Sequence, residues 1–195
     1  MNLKKINLKN KSFTLIETLV SIGIFAVLTV VLTEIFVSST QSQGRALYTQ
    51  ELMDQSSYAL EYMDRILRMA KKDFTGTCTG TSYTNYYPAS GSSDTIIFLD
   101  YNDKCHQFLL EGSQIKEKKS TDKYSSNFGA SVEITSSAIK VNSLKFNIVG
   151  GAQNDLLQPK VTILIDAQSN TQKIDQVPRI RVQTSLSQRH LDIIE

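Results

Sequence analysis

KSFTLIETLVSIGIFAVLTVVLTEIFVSS, from Lys11 to Ser39, is the stretch on which the reading of this chain turns. It is apolar almost throughout, with acids near its two ends, Glu17 and Glu34, and no charge from Thr18 to Thr33. A membrane-spanning helix needs about 20 mostly apolar residues, and this run is long enough. Ahead of it Lys4, Lys5, Lys9 and Lys11 crowd a segment with no acid before Glu17. Basic residues on one flank of a spanning helix favour the cytoplasmic side, so the N-terminus is expected inside and the bulk of the chain exported.

Three kinds of apolar N-terminal segment compete for this stretch. A secretory signal has a shorter apolar core closed by a small-x-small cleavage site. Here no Ala-x-Ala pattern follows the run, although Ser38-Ser39-Thr40 supplies small residues. A plain anchor explains the lysines and the length, but not Glu17. A carboxylate in a spanning helix costs on the order of 2.5–3.5 kcal/mol at the bilayer centre, less near the interface, and marks function by default. The acid also stands at the helix N-terminus, where the helix dipole favours negative charge.

Ser12-Phe13-Thr14-Leu15-Ile16-Glu17, followed by Thr18-Leu19-Val20, resembles the processing site and first helical turns of type IV pilins and pseudopilins. The resemblance implies a leader, residues 1–12, removed by a prepilin peptidase between Ser12 and Phe13, with N-methylation of Phe13. It also implies that Glu17 registers an incoming subunit against its neighbour in the fibre. The α-amine freed at Phe13 stands four positions before Glu17, within reach of that acid in its own or a neighbouring helix. Two departures from the family pattern stand out. Ser12 occupies a position that is usually glycine, and the apolar helix lacks the proline that long-fibre major pilins often carry.

Beyond the apolar run the chain reads as one nearly continuous helix to about Asp73. Leu52, Ser56, Ala59 or Leu60, Met63, Ile66, Leu67, Ala70 and Phe74 recur at helical spacing, opposite a polar face. Ser38–Gly44 is a weak point for a bend, and Lys71, Lys72 and Gly76 read as helix stop signals. The expected organisation is therefore a leader over 1–12, a transmembrane and assembly helix over 13–37 and its amphipathic continuation over 38–74. A Gly/Ser/Thr/Tyr-rich loop over 75–93 and an antiparallel β-sheet domain over 94–195 complete it.

In that last part the period changes to two. Strands are expected at 95–99, 105–110, 113–117, 132–135, 139–149, 161–165 and 180–187, with wide turns at 150–155 and 168–176. Alternation predicts an antiparallel sheet with one dry face, which the amphipathic half of the helix covers. The fold class is α+β, a long N-terminal helix packed on an antiparallel sheet, and it is also the pilin fold. The closing Gln183-Thr-Ser-Leu-Ser-Gln-Arg189 is similar to the last strand of larger pseudopilin-like proteins, which points towards a minor subunit.

Chemistry is sparse. Of 195 residues two are cysteines and two histidines, and the net charge is +2, which gives no case for nucleic acid as a direct partner. Cys78 and Cys105 lie in the exported part, where an oxidising compartment permits one disulfide; closing a loop of about 27 residues contributes roughly 3 kcal/mol. Cys78, Cys105, His106 and His190 have no zinc-site spacing. Asp100, Asn102 and Asp103 fall short of a calcium loop and read as an Asp/Asn turn. Glu111, Glu117, Asp122 and Glu133 read as solvated acids. No catalytic residue, metal or cofactor is expected.

The implied function is a structural subunit rather than an enzyme, built into a type IV pilus, a competence pilus or a type II secretion pseudopilus. Its implied partners are the prepilin peptidase, other pilin or pseudopilin subunits, an inner-membrane assembly platform and, before assembly, the lipid bilayer. The rival reading is a membrane-anchored exported binding domain that never polymerises.

Overall fold

The computed structural model describes residues 13–152, 157–171 and 177–189. It divides into two compact units, one ending at Gln43 and the other beginning at Gly44. A single helix, α1, runs Leu15–Arg68 through the boundary and through the stretch expected to be its weak point.

In the first unit every described residue, from Phe13 to Gln43, is exposed. Its hydroxyls turn inward on the helix: Thr18 donates to the Leu15 carbonyl, Ser21 to Glu17, Thr29 to Phe25 and Thr33 to Thr29. Those bonds spare an apolar surrounding the cost of meeting an unpaired hydroxyl.

The second unit folds around the later turns of α1. Leu52, Ser56, Ala59, Met63 and Leu67 are buried, spaced three or four apart, and form one face of the helix. The helix ends at Arg68, short of the expected Asp73. The Met69 N–H bonds the Ile66 carbonyl, and the chain turns into a two-residue strand, β1 (Ala70–Lys71). Ala70 is therefore a buried strand residue, and Phe74 lies exposed against the edge of Tyr83.

The segment after β1, expected to be one plain loop, includes β2 (Tyr86–Tyr87) and β3 (Gly91–Ser93). Beyond it lie β4 (Thr95–Asp100), β5 (Cys105–Glu111) and β6 (Gln114–Lys119). A 3₁₀ turn at Ser125–Asn127 leads to β7 (Val132–Glu133), then β8 (Ile139–Val149), β9 (Lys160–Ser169) and β10 (Arg179–Ser187). All pairings are antiparallel, but they make two sheets where one was expected. One has the order β1-β4-β5-β6-β7 with β2 also on β4, and the other β10-β9-β8-β3. The two share one core, in which Phe98, Phe108, Phe146, Ile148 and Ile163 pack with the α1 face.

Strand β8 shows how the pattern sets the packing. Its buried residues are Ile139 and Val141, then Leu144, Phe146 and Ile148, so the parity slips in mid-strand. The slip coincides with a β-bulge between Val141 and Ser143, where one extra residue restores the apolar side chains to the core face.

Sheet one is buried on both faces where β4 meets β5. Phe98 and His106, directly opposite in register, stack at 5.4 Å on the core side. On the other side Leu99 pairs with Cys105, which forms a disulfide with Cys78, and Ile97 and Phe128 pack around it. The bridge spans 27 positions with a Cα–Cα distance of 5.5 Å, and ties the loop after the helix to the start of β5.

Three of the buried carboxylates tie together backbone and side chains from different elements. Asp73 accepts the N–H groups of Thr75 and Gly76 on one oxygen, and those of Cys78 and Thr79 on the other. Burial alone raises its carboxyl, but those donors outweigh it and hold the group below the ordinary value. Gly76, with φ +71°, is the hinge of this wrap; a Cβ there would lie 2.8 Å from the Ser82 nitrogen. It serves the Asp73 loop rather than the helix end. Asp166, on β9, grips Arg179 and Arg181 of β10, and their hydrogen bonds keep it well below the carboxylate range.

Glu117 is the third, and its burial corrects the expectation of a solvated acid. It accepts the Tyr62 hydroxyl of α1 at 2.6 Å, and its other oxygen lies 2.6 Å from His106 Nδ1. His106 Nε2 is 3.1 Å from Asp100, so the chain of contacts crosses from helix to sheet. Burial would raise the Glu117 carboxyl; the bonds from His106 and Tyr62 outweigh it and leave it lowered. The same burial and the adjoining Glu117 push the Tyr62 phenol upward.

Acid and reduction should both weaken this unit. Asp73, Glu117 and Asp166 all titrate below their ordinary values when folded, so on acidification the unfolded chain takes up protons first. Their contribution is complete above about pH 5 and is lost as pH falls through about 4 towards the folded values. Denaturant unfolding of the full chain in detergent should show a plateau and then a decline, part of which Asp73→Asn flattens. A stability that rises on acidification contradicts this account. Replacing Cys78 and Cys105 by serine should lower the unfolding free energy by roughly 3 kcal/mol, and an unchanged denaturation midpoint contradicts it.

Candidate functional site

Of the residues singled out for processing and assembly, Phe13 and Glu17 stand at the start of α1. Ser12 and the residues before it lie outside the described residues. Phe13 is exposed and precedes the helix, and Thr14 caps it. The Thr14 hydroxyl accepts the Glu17 N–H at 3.3 Å, while the Glu17 carboxylate reaches back to the Thr14 N–H at 3.5 Å. This is a capping box, which satisfies two of the donors that a helix start leaves free. The capping role of Thr14 is what sequence reasoning missed, although the signature, Thr-x-x-Glu before an apolar run, is present there.

Glu17 therefore has a local partner in the single chain, and that partner is the backbone N–H next to Phe13. One carboxylate oxygen reaches only a long bond there, and the side chain is otherwise exposed. A carboxylate of this kind is able to exchange its weak backbone contact for a cationic amine brought up beside it, a stronger, charge-assisted bond. From Leu15 onwards Ile16, Leu19, Phe25, Leu32 and Phe36 are each more than half exposed, on all sides of the helix. α1 is long and apolar enough to cross a membrane, and none of its most apolar segment is buried within the chain.

The other residues considered for chemistry are drawn into structure. The disulfide takes both thiols of the conceivable zinc set, and His190 lies outside the described residues. Both ring nitrogens of His106 face carboxylates, and the ring is buried between Phe98, Glu117 and Asp100. Asp100 accepts the Asn102 and Lys104 N–H groups on its other oxygen, closing its own turn, and Asp103 pairs with Lys71. Among the described residues no group of three or more His, Cys, Asp or Glu side chains is arranged to hold a metal ion. Glu111 and Glu133 flank Lys116 at 3.7 Å each, and Asp122 accepts the Tyr124 N–H and the Asn127 amide.

Comparison with known proteins bears on the N-terminal segment alone. No curated protein and no solved structure matches the chain. Residues 7–33 match the prokaryotic N-terminal methylation motif, over the segment that contains Ser12, Phe13, the capping pair and most of the exposed apolar run. With a long N-terminal helix packed on antiparallel sheets, the chain has a pilin-like layout and carries the prepilin-cleavage signature of the type IV pilins and pseudopilins.

Proposed function

We propose that this chain is a pilin-like structural subunit, cut by a prepilin peptidase between Ser12 and Phe13, N-methylated at Phe13 and assembled through its apolar helix. The observation that carries the reading is the methylation motif over residues 7–33, together with a helix from Leu15 whose apolar segment buries nothing within its own chain. The lysines of the leader stay in the cytoplasm, and the unit beginning at Gly44 is exported. Lipid covers the helix before assembly, and neighbouring helices cover it afterwards.

The chemistry of assembly falls to Glu17. In the bilayer its charge is costly, and the Thr14 N–H only partly compensates it. A neighbour's freed α-amine at Phe13 supplies an opposite charge at that depth, so a subunit is held where the two meet and not at other registers. Its partners are the peptidase, other pilin or pseudopilin subunits and an inner-membrane assembly platform. The absence of a helix proline and the Gln183–Arg189 closing strand favour a minor or initiating role in a type IV pilus, competence pilus or type II secretion pseudopilus. The chain acts as substrate and building block rather than as an enzyme.

The test is the intact mass and N-terminal sequence of the protein expressed with and without a prepilin peptidase. The expected product begins at Phe13, carries one added methyl group, and forms only with the peptidase, faster for Ser12→Gly. Retention of Met1 in both Ser12 and Ser12→Gly chains overturns the reading in favour of a permanent anchor. Separately, Glu17→Leu should leave insertion and cleavage intact and abolish incorporation into fibres; undiminished incorporation would remove Glu17 from the assembly step.

A further inference from the structure

The two sheets differ in how their edges end. The edge strands β1, β2, β3 and β7 have two or three residues each, whereas β10, at the outer edge of its sheet, has nine. Its parity is fixed by two bonds to the flanks of β9, from the Ser169 N–H to the Pro178 carbonyl and from the Gln188 N–H to the Pro159 carbonyl. Even-numbered residues of β10 therefore bond β9, and the odd ones aim their N–H and C=O groups away from it. Among the described residues, Arg179, Arg181, Gln183, Ser185 and Ser187 show no backbone partner on that outer side. Their side chains are exposed as well.

Natural edges are usually blunted by lysine, proline, a bulge or extreme shortness. Arg179–Ser187 contains no lysine or proline, and its register with β9 runs without a shift. Its two arginines are drawn sideways onto Asp166 of β9, which leaves the outer backbone unguarded. Among the described residues the edge is long, unbroken in register and open.

We propose that this edge pairs antiparallel with the β10 edge of a second copy, joining two four-stranded sheets into one. Charge and strand overlap together favour one register for a second copy. Arginines occupy one end of the strand, and Gln183, Ser185 and Ser187 the centre and other end. Two-fold pairing centred on Gln183 sets Arg179 and Arg181 opposite the second copy's Ser187 and Ser185. Centring on Arg181 would set two arginines face to face, centring on Thr184 or Ser185 would bring Arg179 or Arg181 opposite the second copy's Arg189, and centring on Val182 would pair only residues 179–185 of the strand; like charges directly opposite destabilise a sheet. In the favoured register all nine residues overlap and about ten backbone hydrogen bonds form. Such a contact closes on itself, and so is distinct from the head-to-tail helix packing of a fibre.

The test uses the full-length chain in detergent-solubilised membranes, carrying Gln183→Cys, Ser187→Cys or Lys140→Cys, with covalent dimer quantified on a non-reducing gel after mild oxidation. The favoured register puts the two copies of position 183 at about 5.5 Å between Cα atoms, inside disulfide range, and the two copies of position 187 about 27 Å apart. Dimer from Gln183→Cys should exceed that from the other two on the order of tenfold. Adding Ser185→Pro, which removes an outward N–H and, of the contacts with β9, the exposed hydroxyl bond to Thr162 but none of the backbone bonds, should abolish the cross-link while thermal unfolding stays near that of the parent. Equal cross-linking at the three positions, none at 183, or a cross-link that survives the proline in a folded chain overturns the proposal. If the proline variant fails to fold, the contrast between positions 183 and 187 decides alone.

Discussion

From Phe13 to Gln43 no side chain is buried inside the chain, yet most of them are hydrocarbon. Fully burying an aliphatic or aromatic side chain gains about 1.5–3 kcal/mol, so this segment forgoes that gain many times over unless something outside the chain excludes water from it. The rest of the structure is arranged around that requirement. Hydroxyls along the helix bond to its own carbonyls, and the capping pair Thr14–Glu17 closes the start, so the segment offers an apolar environment few unpaired polar groups. Glu17 is the exception. Its carboxylate keeps a weak local bond and room for a better partner.

The unit from Gly44 onwards solves a different problem, since it must be stable in water on a modest core. The later turns of α1 enter that core through one stripe, and each sheet contributes its inward-facing residues. Sheet one is then sealed on its reverse by the disulfide, Leu99 and Phe128. Several of the polar groups that the fold buries are satisfied in clusters, whereas the Ser56 hydroxyl and the Asn85 side-chain amide find no partner among the described residues. Asp73 gathers the N–H groups of the loop behind the helix, and Tyr62, Glu117, His106 and Asp100 link helix to sheet. These groups hold loop, helix and sheet together.

Sequence patterning carries the helix stripe, the order of strands and the N-terminal signature, because each is a local property. Even the bulge in β8 is visible as the slip from Ile139 and Val141 to Leu144, Phe146 and Ile148. The division into two sheets is not legible there, since it depends on which strands pair at long range, and alternation is silent on partners. The helix end is misplaced because Ala70 fits a helical stripe as well as a buried strand, and only its pairing with Asp100 chooses between them. Glu117 escapes for the same reason. Its strand, Gln114–Lys119, carries one apolar residue and looks solvated until His106 and Tyr62 close over it. At the helix start, Glu17 stands out by its charge in an apolar run, whereas the capping role of Thr14 is written only in the Thr-x-x-Glu spacing.

The central claim is that the helix following Phe13 exchanges lipid for the helices of other subunits. A photo-reactive residue at Phe25, in cells whose prepilin peptidase and assembly platform are active, tests it most directly. The account predicts adducts with protein, at the apolar helix of a neighbouring subunit, which disappear when the peptidase is inactivated and lipid adducts remain. Lipid adducts alone in the fully active cells would contradict it, and would leave an anchored exported domain in its place.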